Sequence, residues 1–157
     1  MLFVSLHCNA LHLKSVQGAE SFVMGIHTEE ENLEVVKREN EVILMEDLSA
    51  LSDNPYEAEN HILASVLQQQ NLEKSIYLAS QIQNELVNKI AVKNRGVKQA
   101  GFVVLRKVVV PSVLVELGFL SNSKDAELLK NKKHQERFAK SIAAGIEKYL
   151  DIYAPSF

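Results

Sequence analysis

The sequence predicts an α/β domain: a mixed, largely parallel sheet flanked by helices and carrying a helical insertion. Two observations predict it. Short apolar runs rich in strand formers alternate with longer stretches of helical period. One of the runs, "SVLVELGF" at 112–119, is apolar on both faces, as a strand covered on both sides requires.

Taken in order, "LFVSLH" (2–7) reads as a strand that ends in polar "HCNA". "AESFVMGI" (19–26) is a second strand, with Phe22, Met24 and Ile26 alternating against smaller or polar neighbours. Residues 30–48 read as a helix whose acidic start suits the positive end of the helix dipole. Asn54, Pro55 and Glu57 then supply the N-cap, N1 and N3 residues of a long helix reaching about Ile90, with a break expected near Gln70–Asn71. Leu72, Ile76, Ala79, Ile82, Leu86 and Ile90 lie along one face of its second half. "NRGVKQAG" reads as a glycine-bearing loop, and "FVVLRKVVVPSVLVELG" as two strands separated near Pro111. Ser123 caps a short helix over 124–131, and a last helix at 133–150 carries Phe138, Ile142, Ile146 and Tyr149 on its core stripe.

Composition narrows the function. The chain has 157 residues, enough for one domain with a real core. A net charge of -3 argues against a nucleic-acid partner, which calls for a basic face. The charge is unevenly placed: residues 29–59 are rich in acids with only Lys37 and Arg38 against them, whereas 93–107 carries bases and no acid. Cys8 is the single cysteine, so no disulfide forms within the chain. No apolar run approaches the roughly 18 residues of a membrane span. The opening "MLFVSLHCNALHLKS" lacks the basic start of a signal peptide, and His7, Asn9 and His12 interrupt it.

Two residues stand out chemically. Glu116 is a carboxylate inside the apolar run Val113, Leu114, Val115, Leu117, Phe119, where an unpaired charge costs several kcal/mol. His7 ends the first strand. Strands of α/β sheets deliver functional side chains at their carboxyl ends, so neighbouring strands would bring His7 and Glu116 to one crevice. An imidazole and a carboxylate there suit a zinc hydrolase, with His as ligand and Glu as general base. The bland alternatives are a hydrogen-bonded strand-end histidine and a carboxylate paired with an arginine or a backbone donor.

Four blocks, "LFVSLHCNA", "RGVKQAGFVVLR", "PSVLVELGFLSN" and "AKSIAAGIEKYL", stand in one order along the chain. Together they resemble the zinc-dependent N-acetylmuramoyl-L-alanine amidases, and the resemblance covers the chain to about residue 150. It implies hydrolysis of the amide between N-acetylmuramic acid and the L-alanine of the peptidoglycan stem peptide. It also implies one Zn2+, with His7 as a ligand and Glu116 as the catalytic acid/base. Asn9, in the first block, is a candidate substrate contact, and the basic stretch at 93–107 offers Lys93, Arg95 or Lys98 to the anionic stem peptide; an ordinary solvated loop is the alternative. It further implies a location in the cell envelope, with peptidoglycan or muropeptides as substrate, and a single domain over 1–153 with an insertion at about 28–73.

The family's other two zinc ligands precede the strand with which this chain opens. The resemblance therefore implies a domain lacking its first strand or strands, and a chain inactive alone. His12, His27 and His61 lack a matching context and read as surface or loop histidines. Related division-site amidases carry an insertion in which a glutamate covers the metal until an activator protein displaces it. "KREN" at 37–40 resembles that region, which makes Glu39 the candidate plug; a solvated acidic lid is the alternative. The rival function is a non-catalytic cell-wall-binding or regulatory remnant of the same fold.

Overall fold

The protein is described from a computed structural model covering residues 1–25, 32–46 and 57–154. Among these residues four strands form one sheet: β1 (Phe3–Asn9), β2 (Ala19–Met24), β3 (Asn94–Ala100) and β4 (Ser112–Phe119), in the order β1-β4-β2-β3. β1–β4 and β2–β3 are parallel and β2–β4 is antiparallel, so the sheet is mixed and mostly parallel, as expected. Five helices accompany it: α1 (Leu33–Glu46), α2 (Glu57–Ile90), α3 (Val103–Arg106), α4 (Ser123–Lys130) and α5 (Lys132–Tyr153).

The apolar pattern decides which helix covers which face. Val113 and Val115 of β4, with Ala19 and Val23 of β2, meet Leu78, Ile82 and Leu86 of α2 and Phe138, Ile142 and Tyr149 of α5. Each such large side chain contributes about 1.5–3 kcal/mol on burial. At Gly145 of α5, an added Cβ would lie 2.6 Å from Ile82 Cα, so the α2–α5 contact depends on that hydrogen. The opposite face, built by Leu114 and Phe22, packs under Val35 and Val36 of α1 and Phe102 and Leu105 around α3. β4 is buried along nearly its whole length, while β1, at the sheet edge, is only half-buried and leaves Leu6 exposed.

Several expectations need correction. α2 runs without a break: residues 57–90 contain no glycine or proline, and Asn71, the expected breaker, donates its amide to Leu67 O at 2.9 Å along the helix. "NRGVKQA" is strand β3 rather than a loop. An edge strand paired on one side needs few apolar residues, and Gly96, at φ +84, fits a register irregularity in the β2–β3 pair. "FVVLR" is not a strand. Phe102 and Leu105, three apart, both turn into the core over the single helical turn α3, a pattern that short apolar runs do not distinguish from a strand. The cap of α4 is Asn122, not Ser123, accepting from Lys124 N and Asp125 N. Asn54, Pro55, Ile26 and His27 lie outside the described residues.

Candidate active site

The sheet register assembles the site. His7 of β1 pairs with Glu116 of β4, and Glu116 pairs in turn with Glu20 of β2. Register partners project to the same face, so His7, Glu116 and Glu20 form a row across three strands.

Their surroundings differ. Glu116 is fully buried, and among the described residues neither carboxylate oxygen has a hydrogen-bond partner. Burial pushes its pKa up to about 8; the negative charges of Glu39 and Glu20 push the same way and Arg38 opposes them. A carboxyl group titrating there can both accept and return a proton near neutral pH. Glu20 is equally buried but fully engaged. Its Oε2 accepts from Arg95 Nε and Lys98 Nζ, each at 2.9 Å, and its Oε1 from Asn9 Nδ2 at 3.2 Å.

His7 is held on both sides. Ser5 Oγ lies 2.7 Å from its Nε2, and Glu39 Oε2 lies 2.7 Å from its Nδ1. Glu39 arrives from above the sheet, on α1. Val35 and Val36 seat that helix on the Phe22–Leu114 face. Asn40 fastens it by donating to Gly101 O at 3.1 Å and accepting from Val103 N at 2.8 Å. Arg38 donates to Ala10 O and, at 2.7 Å, to Glu39 Oε1, fixing the carboxylate that meets His7. The four letters of "KREN" therefore divide into an exposed Lys37 and three side chains aimed at the sheet edge and its loops.

His7, Glu39 and Glu116 each offer one ligand atom, and these atoms all lie within 4.8 Å of one another. Ligands of a tetrahedral zinc stand about 3.4 Å apart, so this donor set fits a divalent cation after small side-chain shifts.

Of the residues singled out in the sequence, His7, Glu116 and Glu39 meet in one cluster. Asn9 and Arg95 do not point at it directly: both bond Glu20. His12 is apart, exposed, 3.7 Å from Glu34. Glu20 carries the same sequence signal as Glu116, a carboxylate inside an apolar strand.

The fold and the row of side chains can be set beside known proteins. The family model Amidase_3, N-acetylmuramoyl-L-alanine amidase, matches residues 1–148. AmiC, an N-acetylmuramoyl-L-alanine amidase of Escherichia coli, is 31% identical over 153 residues, which is 95% of this chain and 36% of AmiC. The uncharacterized protein YqiI of Bacillus subtilis is 44% identical over 79 residues, 50% of this chain and 38% of YqiI. The chain thus spans little more than a third of either relative. Among solved structures, the CwlD amidase of Clostridioides difficile, determined in complex with the GerS lipoprotein, superposes with a TM-score of 0.63 at 28% identity, covering 96% of this chain and 55% of CwlD. With the family model spanning nearly its whole length and the same fold beneath it, this chain belongs to the N-acetylmuramoyl-L-alanine amidase family.

Proposed function

We propose that this chain carries the acid/base and one metal ligand of a zinc-dependent peptidoglycan amidase acting on the bond between N-acetylmuramic acid and L-alanine. The observation that carries the reading is Glu116, a fully buried carboxylate with no partner among the described residues, beside the imidazole of His7. A structural carboxylate at that depth would be paired, as Glu20 is.

His7 would hold the zinc, oriented by Ser5 Oγ on its other ring nitrogen. When bound, the zinc supplies a Lewis acid that polarises the scissile carbonyl and acidifies the attacking water. Glu116 takes the proton from that water on a carboxylate oxygen and returns it to the leaving amine nitrogen of L-alanine. Its apolar walls hold its proton affinity in the range where both transfers are feasible at neutral pH.

Glu39 is the plug. Bonded to His7 Nδ1, it stands at the ring nitrogen that would hold the metal, and an activator protein that draws α1 away would open the site. The solved complex of CwlD with a lipoprotein supports looking for such a partner. The domain spans residues 1–153, with the insertion at about 28–73. The site of action is the cell envelope, where the cell-wall amidase relatives belong; no described helix is long and apolar enough to cross a membrane.

The test is to join the chain to the opening segment of AmiC, which would supply the family's other two zinc ligands, and to assay release of L-alanyl peptides from muropeptides. Zinc-dependent release, abolished by Glu116→Gln, is expected. A folded, zinc-loaded hybrid with no release would overturn the reading, and leave the non-catalytic wall-binding remnant in its place.

A further inference from the structure

Next to Glu116, on the side away from His7, stands a charged group that proton transfer does not use. The buried Glu20 carboxylate is faced by two cations, Arg95 and Lys98, which share its Oε2. One charge of the pair is neutralised and one is left over. Both cations are fixed by more than the carboxylate. The Arg95 guanidinium stands over the Phe119 ring, 5.3 Å from its centroid, and Lys98 Nζ over Phe22 at 5.6 Å. Their side chains are 24% and 15% exposed, so each keeps an open side while its position is set from beneath.

Three donors converge here without enough acceptors. Arg95 spends Nε on Glu20, and among the described residues its two Nη groups bond nothing. Lys98 Nζ also donates to Asn32 Oδ1 at 2.9 Å, which turns the Asn32 amide into the group. Asn32 is buried, and among the described residues its Nδ2 has no partner. A buried amide donor without an acceptor costs about 1–3 kcal/mol. Placed beside a cation pair that one carboxylate only half neutralises, it is the mark of a site shaped for an anion.

We propose that Arg95, Lys98 and the Asn32 amide form an anion subsite that takes a carboxylate of the peptide, with Glu20 as the positioning residue beneath it. A planar guanidinium and an ammonium at fixed positions suit a carboxylate, whose two oxygens can be shared between them. The strand order places the cations of this subsite two strands from Glu116, with Glu20 of β2 between, so a peptide held by a carboxylate on the β2–β3 side presents its amide toward β4 and β1. Asn32 immediately precedes α1, so the subsite is also completed by the segment that brings Glu39. The proposal rests on the amidase reading and names how its substrate is gripped.

The experiment is an NMR titration of the chain, and of its Glu39→Ala variant, with two muropeptide probes. The probes are N-acetylmuramoyl-L-alanyl-D-glutamate and its doubly amidated counterpart, which keeps no carboxylate. The acid form is expected to bind at least about tenfold more tightly, with the margin shrinking as salt rises. Arg95→Gln should bring the two probes within about twofold of each other while leaving binding of the amide form unchanged. Glu20→Gln should do the same through loss of position, with Arg95→Lys recovering part of the preference. A chain that binds both probes equally overturns the subsite and leaves the amidase reading standing. Binding of neither probe, in either background, overturns both.

Discussion

His7 and Glu116 are register partners on neighbouring parallel strands, so their side chains leave the sheet on the same face at the same level. One is a half-exposed edge residue and the other is fully buried. That contrast gives the imidazole access to a ligand from outside and leaves the carboxylate dependent on its apolar walls.

Glu116 makes stability depend on pH in a defined direction. Its folded pKa of about 8 lies above its ordinary value of 4.5, so the folded state binds the proton more tightly than the unfolded chain. Its contribution is fully present below pH 4.5 and is lost as pH rises toward 8. Denaturant melts of the metal-free chain should therefore lose up to a few kcal/mol of stability between those limits, beyond the slope of other groups. Glu116→Gln, with no proton to lose, should flatten that part of the profile. An identical pH slope in the variant would show that Glu116 is paired in solution.

The seating of α1 hangs on Asn40, which joins it to the β3–α3 turn by one donated and one accepted bond. Asn40→Ala removes both and leaves Val103 N without its acceptor, a loss of about 1–3 kcal/mol. Hydrogen exchange should report it as faster opening of residues 33–46, with α2 and α5 protection unchanged. If Glu39 is the plug, the same substitution in the active hybrid should raise hydrolysis several-fold, as should Glu39→Ala. Rates that do not move in either variant would remove autoinhibition from the account.

Gly145 sets how closely α5 approaches α2. A methyl group there would sit 2.6 Å from Ile82 Cα, on backbone that cannot swing aside. Gly145→Ala should cost about 1–3 kcal/mol by overpacking, despite alanine's better helix propensity. Chemical denaturation gives the sign directly: a stabilised variant would mean the two helices stand further apart than described.

Much of this was legible in the sequence because the signals were local. Strands β1 and β2, the interior place of β4, the core stripes of α2 and α5 and the anomaly of Glu116 all follow from period and polarity over eight to twenty residues. The errors share a cause as well. "NRGVKQA", expected as a loop, is a strand and "FVVLR", expected as a strand, is a helical turn, because an edge strand can be polar and a buried helical turn apolar, and which one a run becomes depends on its neighbours. Asn71 did not break α2, since its side chain finds an acceptor within the helix.

The sequence by itself determined that this is an α/β domain of the amidase family, and it singled out His7 and Glu116 as chemically anomalous. Only the tertiary structure decided that Glu20 joins their row, that Asn9 and Arg95 serve Glu20, and that Glu39 reaches His7. The reason is separation along the chain. Glu20 and Arg95 lie on different strands, and Glu39 on a helix packed across the sheet from sequence well beyond β1. No local pattern encodes such meetings. Strand register and the docking of α1 create them, and both are fixed by what the whole core buries.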